Sequence, residues 1–238
     1  LREVPLDDSN AGAFTDLEEV VGWVPAIDIL TTQPITPSML TLPAAASSTD
    51  GPAPLEVVEH GMSKKGDTVS YAIVLRNPNE GRWSAEHMPI RVAVLDRQGR
   101  VTATSREMTS LLPGQTGAVV GEIHGAKRAA SIEVAVADDE RSWEEHHFVM
   151  SGLDVSVAKS SRSGSRPITT GRVEAWFDDW HEGVQLMAVY RDGQGRIIGG
   201  DSTYLRIVPG GETTVFRIQG SGRVPARAIK SREVFYEL

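Results

Sequence analysis

The chain has 238 residues, with 24 basic and 32 acidic side chains, a formal charge of −8 and no cysteine. An apolar content of 40% is enough to build packed cores and excludes global disorder. The acidic balance argues against a binder of nucleic-acid phosphates, and the lack of cysteine removes disulfides, thiolate metal sites and cysteine nucleophiles.

Residues 1–43 mix acidic and apolar side chains, with prolines at 5, 25, 34, 37 and 43. Helical apolar spacing recurs only weakly, around Thr15–Val21. The chain opens on Leu1 and not on Met, so a preceding segment is expected, and a targeting signal or membrane tether would lie there. No apolar run approaches the ~20 residues of a bilayer-spanning helix. Residues 44–54 (AAASSTDGPAP) have no large apolar side chain to bury and read as a linker.

From residue 55 onward, period-2 alternation dominates. Val69, Tyr71, Ile73 and Leu75 share one strand face, as do Ile90, Val92 and Val94, and then Ile132, Val134 and Val136. The pattern returns in Val173, Ala175 and Phe177, in Val184, Leu186, Ala188 and Tyr190, in Phe216 and Ile218, and in Val234 and Tyr236. Short runs rich in β-branched and aromatic residues predict half-buried strands and an all-β chain.

Two turn motifs repeat with one displacement. LDRQGR, from Leu95 to Arg100, resembles RDGQGR, from Arg191 to Arg196, 96 residues later. LLPGQT, from Leu111 to Thr116, resembles IVPGGET, from Ile207 to Thr213, at the same offset up to the Pro-Gly. A period this long predicts tandem domains, 55–148 and 149–238, each a Greek-key sandwich of about seven strands. One loop differs: Asn77 through Pro89 is longer than its counterpart, Asp178 through Gly183.

The stretches YAIVLRNPN (Tyr71–Asn79), IRVAVLDRQG (Ile90–Gly99) and LPGQT (Leu112–Thr116) resemble the FxLYD domain, an immunoglobulin-like bacterial module. The second copy is similar to it through Thr170–Val173, Val189–Gly193 and Val208–Gly210. Segment 1–43 resembles the latter part of a SAF domain through LREVPL (Leu1–Leu6), FTDLEEVVG (Phe14–Gly22) and IDILTTQPITPSML (Ile27–Leu40). That resemblance implies a partial β-clip whose first strand would precede Leu1. It also implies an extracytoplasmic protein of the kind that assists Flp pilus or flagellar assembly, secreted or tethered by an N-terminal membrane helix.

Catalytic patterns are missing. Gly193, Gly195 and Gly199 are spaced G-x-G-x-x-x-G, which misses the dinucleotide fingerprint and reads as a hairpin turn. Gly220-Ser221-Gly222 is not a nucleophile elbow. His146 and His147 are adjacent, so in a strand they point to opposite faces. Asp178, Asp179 and Glu182, beside His181, offer hard oxygen ligands for a metal but lack calcium-loop spacing, and a solvated acidic turn is the simpler reading. Residues 133–145 carry six carboxylates, whereas Arg217 to Arg232 holds five basic residues and no acidic one. These blocks read as solvated faces or as complementary patches for partners.

Trp83 and Trp180, in corresponding loops, with His181, are candidate ligand contacts, because exposed tryptophans stack on sugars. Trp143 and Trp176 read as a sheet-edge cap and a core residue. The expectation is a non-catalytic, cofactor-free extracytoplasmic scaffold or assembly module for a pilus or cell-envelope system, binding a protein partner or envelope component and not nucleic acid. The alternative is a carbohydrate- or cell-wall-binding module using the tryptophan loops. A metal-dependent hydrolase is the third and weakest reading.

Overall fold

The computed structural model describes residues 24–25, 40–41, 51–137, 142–145, 153–175, 183–206 and 213–237. The chain divides into two compact units, Leu1–Gly51 and Pro52–Leu238. In the first, β1 (Val24–Pro25) pairs antiparallel with β2 (Leu40–Thr41). The rest of the SAF-like stretch, Thr15–Val21 included, lies outside the described residues.

The described residues of the second unit are almost all strand and turn, arranged as two sandwiches. The first sandwich contains β3 (Glu56–Lys65), β4 (Thr68–Arg76), β5 (Trp83–Leu95), β6 (Val101–Leu111), β7 (Thr116–Ile123), β8 (Ser131–Val136) and β9 (Trp143–Glu145). One sheet runs β3-β4-β7; the other runs β6-β5-β8, with β9 pairing the start of β5. The second sandwich contains β10 (Leu153–Ser163), β11 (Arg166–Ala175), β12 (Val184–Arg191), β13 (Ile197–Leu205), β14 (Thr213–Gln219) and β15 (Ser231–Glu237). Its sheets run β10-β11-β14 and β13-β12-β15. The strand order is the same in both copies.

The alternation sorts the side chains as the pattern requires. Val69, Tyr71, Ile73, Leu75, Ile90, Val92, Val94 and Ile132 are buried together in the first core. Val173, Val184, Leu186, Ala188, Tyr190, Phe216 and Ile218 make the second. Phe177 and Trp176 lie outside the described residues.

The repeated turns have the same chemistry. Asp96 Oδ1 accepts the backbone N–H of Gln98 (2.9 Å) and of Arg100 (3.0 Å), while its Oδ2 takes Arg100 Nε at 2.9 Å. Asp192 does the same with Gln194 (2.9 Å), Arg196 N (3.0 Å) and Arg196 Nε (2.9 Å). Gly99 (φ 76°) and Gly195 (φ 81°) supply the left-handed residue each turn needs, and a register shift flanks each turn, at Val94/Leu95 and at Tyr190/Arg191. The arginine beside each aspartate holds its carboxyl below the ordinary range. The two loops are one solution written twice.

The loop expected from Asn77 to Pro89 is shorter than that. Residues 83–89 belong to β5, which is 13 residues long and can extend because β9 pairs with its first turn-proximal residues. A bulge between Ala85 and Met88, with His87 at φ 50°, re-aims the strand before it joins β8.

The sandwiches do not merely follow one another. Ala72, Val74 and Ala118 of the β3-β4-β7 sheet pack on Met187, Val189 and Ile197 of the β13-β12-β15 sheet, flanked by Val120 and Phe235. β4 and β12 are therefore apolar on both faces. Glycine allows the approach: a Cβ on Gly61 would lie 2.2 Å from the Ile197 carbonyl oxygen.

Polar contacts close the layer at its margins. Arg191 Nη1 meets Glu59 at 2.6 Å and its Nη2 meets Glu233 at 3.0 Å. Lys65 Nζ donates to Gly222 O at 2.9 Å, and Gln115 Nε2 donates to Tyr236 O at 2.9 Å. Glu237 accepts from Ser110 N (2.9 Å) and Thr109 Oγ1 (3.2 Å). An apolar centre with a polar margin is the anatomy of a stable protein interface.

Burial raises the Glu237 carboxyl above its ordinary 4.5. The folded state thus holds that proton more tightly than the unfolded chain, and Glu237's contribution to stability declines as pH rises through and above 4.5. Glu237→Gln keeps an acceptor without the charge. It is expected to be at least as stable as the parent at neutral pH, with the advantage fading as pH falls below 4.5. Urea melts at a series of pH values check this.

Candidate functional site

Trp83 opens β5 and does not sit in a free loop. It is half-buried, and Arg82 lies over its ring with the guanidinium carbon 5.3 Å from the centroid. Arg82 is held there by Glu145 of β9, at 2.9 Å from its Nε. A cation already covers the ring, so Trp83 is part of a local stack. Trp143 packs against the first core. Trp180, His181, Asp178, Asp179 and Glu182 lie outside the described residues, as do His146 and His147. Among the described residues, no group of three or more His, Asp or Glu side chains is placed to hold a metal ion.

Asn77, part of the Asn-Pro-Asn stretch, anchors the turn before Trp83. It is fully buried. Its Nδ2 donates to the carbonyls of Trp83 (2.7 Å), Leu111 (3.1 Å) and Leu112 (3.1 Å), while Oδ1 accepts Asn79 N at 3.0 Å. One side chain thus ties the β4–β5 turn to the end of β6.

The basic block from Arg217 to Arg232 is not uniformly solvated. Part of it forms a cavity of about 380 Å³ in the second sandwich, lined by Ser160, Ser161, Arg162, Lys230, Ser231 and Arg232, with Ala226 and Ile229 as its apolar part. Strand register explains Arg232. It stands opposite Tyr190, a core residue, so it shares the face that Val234 and Tyr236 turn toward the core. Its guanidinium carbon lies 5.7 Å from the Tyr190 ring centroid, and its Nε is buried without a hydrogen-bond partner. Burial pulls the guanidinium below its ordinary value. Sequence reading missed this residue, because a charge in a strand ordinarily marks the solvent face.

No family model and no curated protein matches the chain. Among solved structures, a red sea bream transglutaminase aligns at 10% identity and a TM-score of 0.28, over 76% of this chain and 28% of that one. The chain therefore spans little more than a quarter of that protein. A Bacillus subtilis oxalate decarboxylase aligns at 10% identity and a TM-score of 0.12, covering 82% of this chain and 87% of that one. Likenesses this slight carry no argument about activity.

Proposed function

We propose that this chain is a non-catalytic scaffold or assembly module acting outside the cytoplasm, in a pilus or another cell-envelope system. The observation that supports it most is the apolar layer of Val74, Met187, Val189 and Ile197 between the sandwiches. Burying that layer disfavours independent motion of the two sandwiches, which suits a part that holds partners at a fixed spacing. The FxLYD-like and SAF-like stretches supply the compartment and the assembly context.

The test is made in the organism that produces the protein, by cell fractionation, in vivo crosslinking and gene deletion. The scaffold reading expects the protein in the envelope fraction, crosslinks to an envelope protein, and impaired surface assembly on deletion. A cytosolic location with an unchanged envelope contradicts it. Titration of the purified chain with cell-wall glycan separates the carbohydrate reading: tryptophan fluorescence stays flat for a scaffold and is quenched to saturation for a glycan binder.

A further inference from the structure

Arg162, Lys230 and Arg232 line one cavity of a protein whose formal charge is −8. None of the side chains lining it is acidic. Among the described residues, neither Arg162, Lys230 nor Arg232 has a carboxylate within ion-pair distance, although Arg76, Arg82, Arg100, Arg191, Arg196 and Arg223 all do. The remaining arginines of the basic block, Arg217, Arg223 and Arg227, are exposed. Arg232 differs: its Nε is buried and has no hydrogen-bond partner among the described residues.

From this we infer that the cavity is a binding site for a phosphoryl group carried on a small organic molecule. The donor inventory selects the group. Two guanidiniums and one ammonium present more donors than a two-oxygen carboxylate can accept, whereas a phosphate monoester offers three terminal oxygens and a double charge. The volume selects the rest. A cavity of about 380 Å³ exceeds a free phosphate and falls in the range of small-ligand pockets, and Ala226 and Ile229 give the organic part an apolar contact. The site lies wholly within the second sandwich, so it does not depend on the scaffold reading.

The test is calorimetric titration of the full chain with inorganic phosphate, glycerol 3-phosphate and a hexose 6-phosphate, with glucuronate as the carboxylate arm and short-chain phosphatidate micelles as the lipid arm. Saturable binding of at least one phosphomonoester, tighter than glucuronate by about tenfold or more and weakened by salt, is expected. Arg162→Gln and Lys230→Gln, both on exposed positions, are each expected to weaken it about tenfold. Arg232→Gln is expected to weaken it at least as much, and Arg217→Gln on the outer face of β14 to leave it unchanged. At equal concentration the ligand should also raise the melting temperature of the parent more than that of Arg162→Gln. Equal affinity in parent and Arg162→Gln, or no saturation by any phosphomonoester at about 10 mM, would overturn the assignment.

Discussion

Asn77→Asp is expected to destabilise the first sandwich by roughly 3 kcal/mol or more. The replacement has the same shape, so packing is preserved and the effect isolates the hydrogen bonds. Nδ2 is the shared donor to Trp83 O, Leu111 O and Leu112 O inside a fully buried site. A carboxylate there has nothing to donate and turns a negative oxygen toward three carbonyls. Each buried group left unmatched costs about 1–3 kcal/mol, and the buried charge adds to that. A single small domain has only about 5–15 kcal/mol to lose. Urea melts followed by Trp83 and Trp143 fluorescence measure the loss, and Asn79→Asp, on a half-exposed neighbour, is the control. A loss below about 1 kcal/mol contradicts the latch, since surface changes commonly fall within ±0.5 kcal/mol.

Gly61→Val is expected to uncouple the two sandwiches. Gly61 has no positive φ, so the backbone accepts a side chain there, and the obstacle is the neighbour alone. A Cβ would lie 2.2 Å from Ile197 O and 2.9 Å from Ile197 Cβ. A backbone oxygen fixed at the start of β13 cannot turn aside as a flexible side chain would. The layer must open, exposing Val74, Met187, Val189 and Ile197, each stabilised by roughly 1.5–3 kcal/mol when fully buried. The parent is expected to unfold in one transition and the variant in two, the first shifted by about 3 kcal/mol or more. A single unshifted transition in the variant would show that the layer carries no such weight.

What the sequence made legible depended on how local each feature was. The face of Val69, Tyr71, Ile73 and Leu75 is written in a period of two, and the Asp96 and Asp192 turns are closed by residues two and four positions away, so both were readable. Alternation read β4 and β12 as half-buried, with one apolar face each. The second face, with Ala72, Val74, Met187 and Val189, is covered by the other sandwich, and which sheets meet is set by long-range packing. Asn77 read as a turn residue, yet the carbonyls it serves lie 34 and 35 positions away at Leu111 and Leu112. Arg232 read as surface charge until its register opposite Tyr190 put it on the core side. Trp83 read as a loop residue because the strand it begins is completed by β9, a short and distant pairing that leaves no periodic trace.

Backbone amide residual dipolar couplings, collected on the chain in one weak alignment medium, test most directly whether the two sandwiches behave as one body. The docked layer predicts that couplings from β3–β9 and from β10–β15 fit a single alignment tensor, of one magnitude and one orientation. It also predicts that Gly61→Val splits the fit while leaving each sandwich internally consistent. Two tensors of unequal magnitude in the unmodified protein would mean that the sandwiches move independently, and would contradict both the shared apolar layer and the scaffold reading built on it.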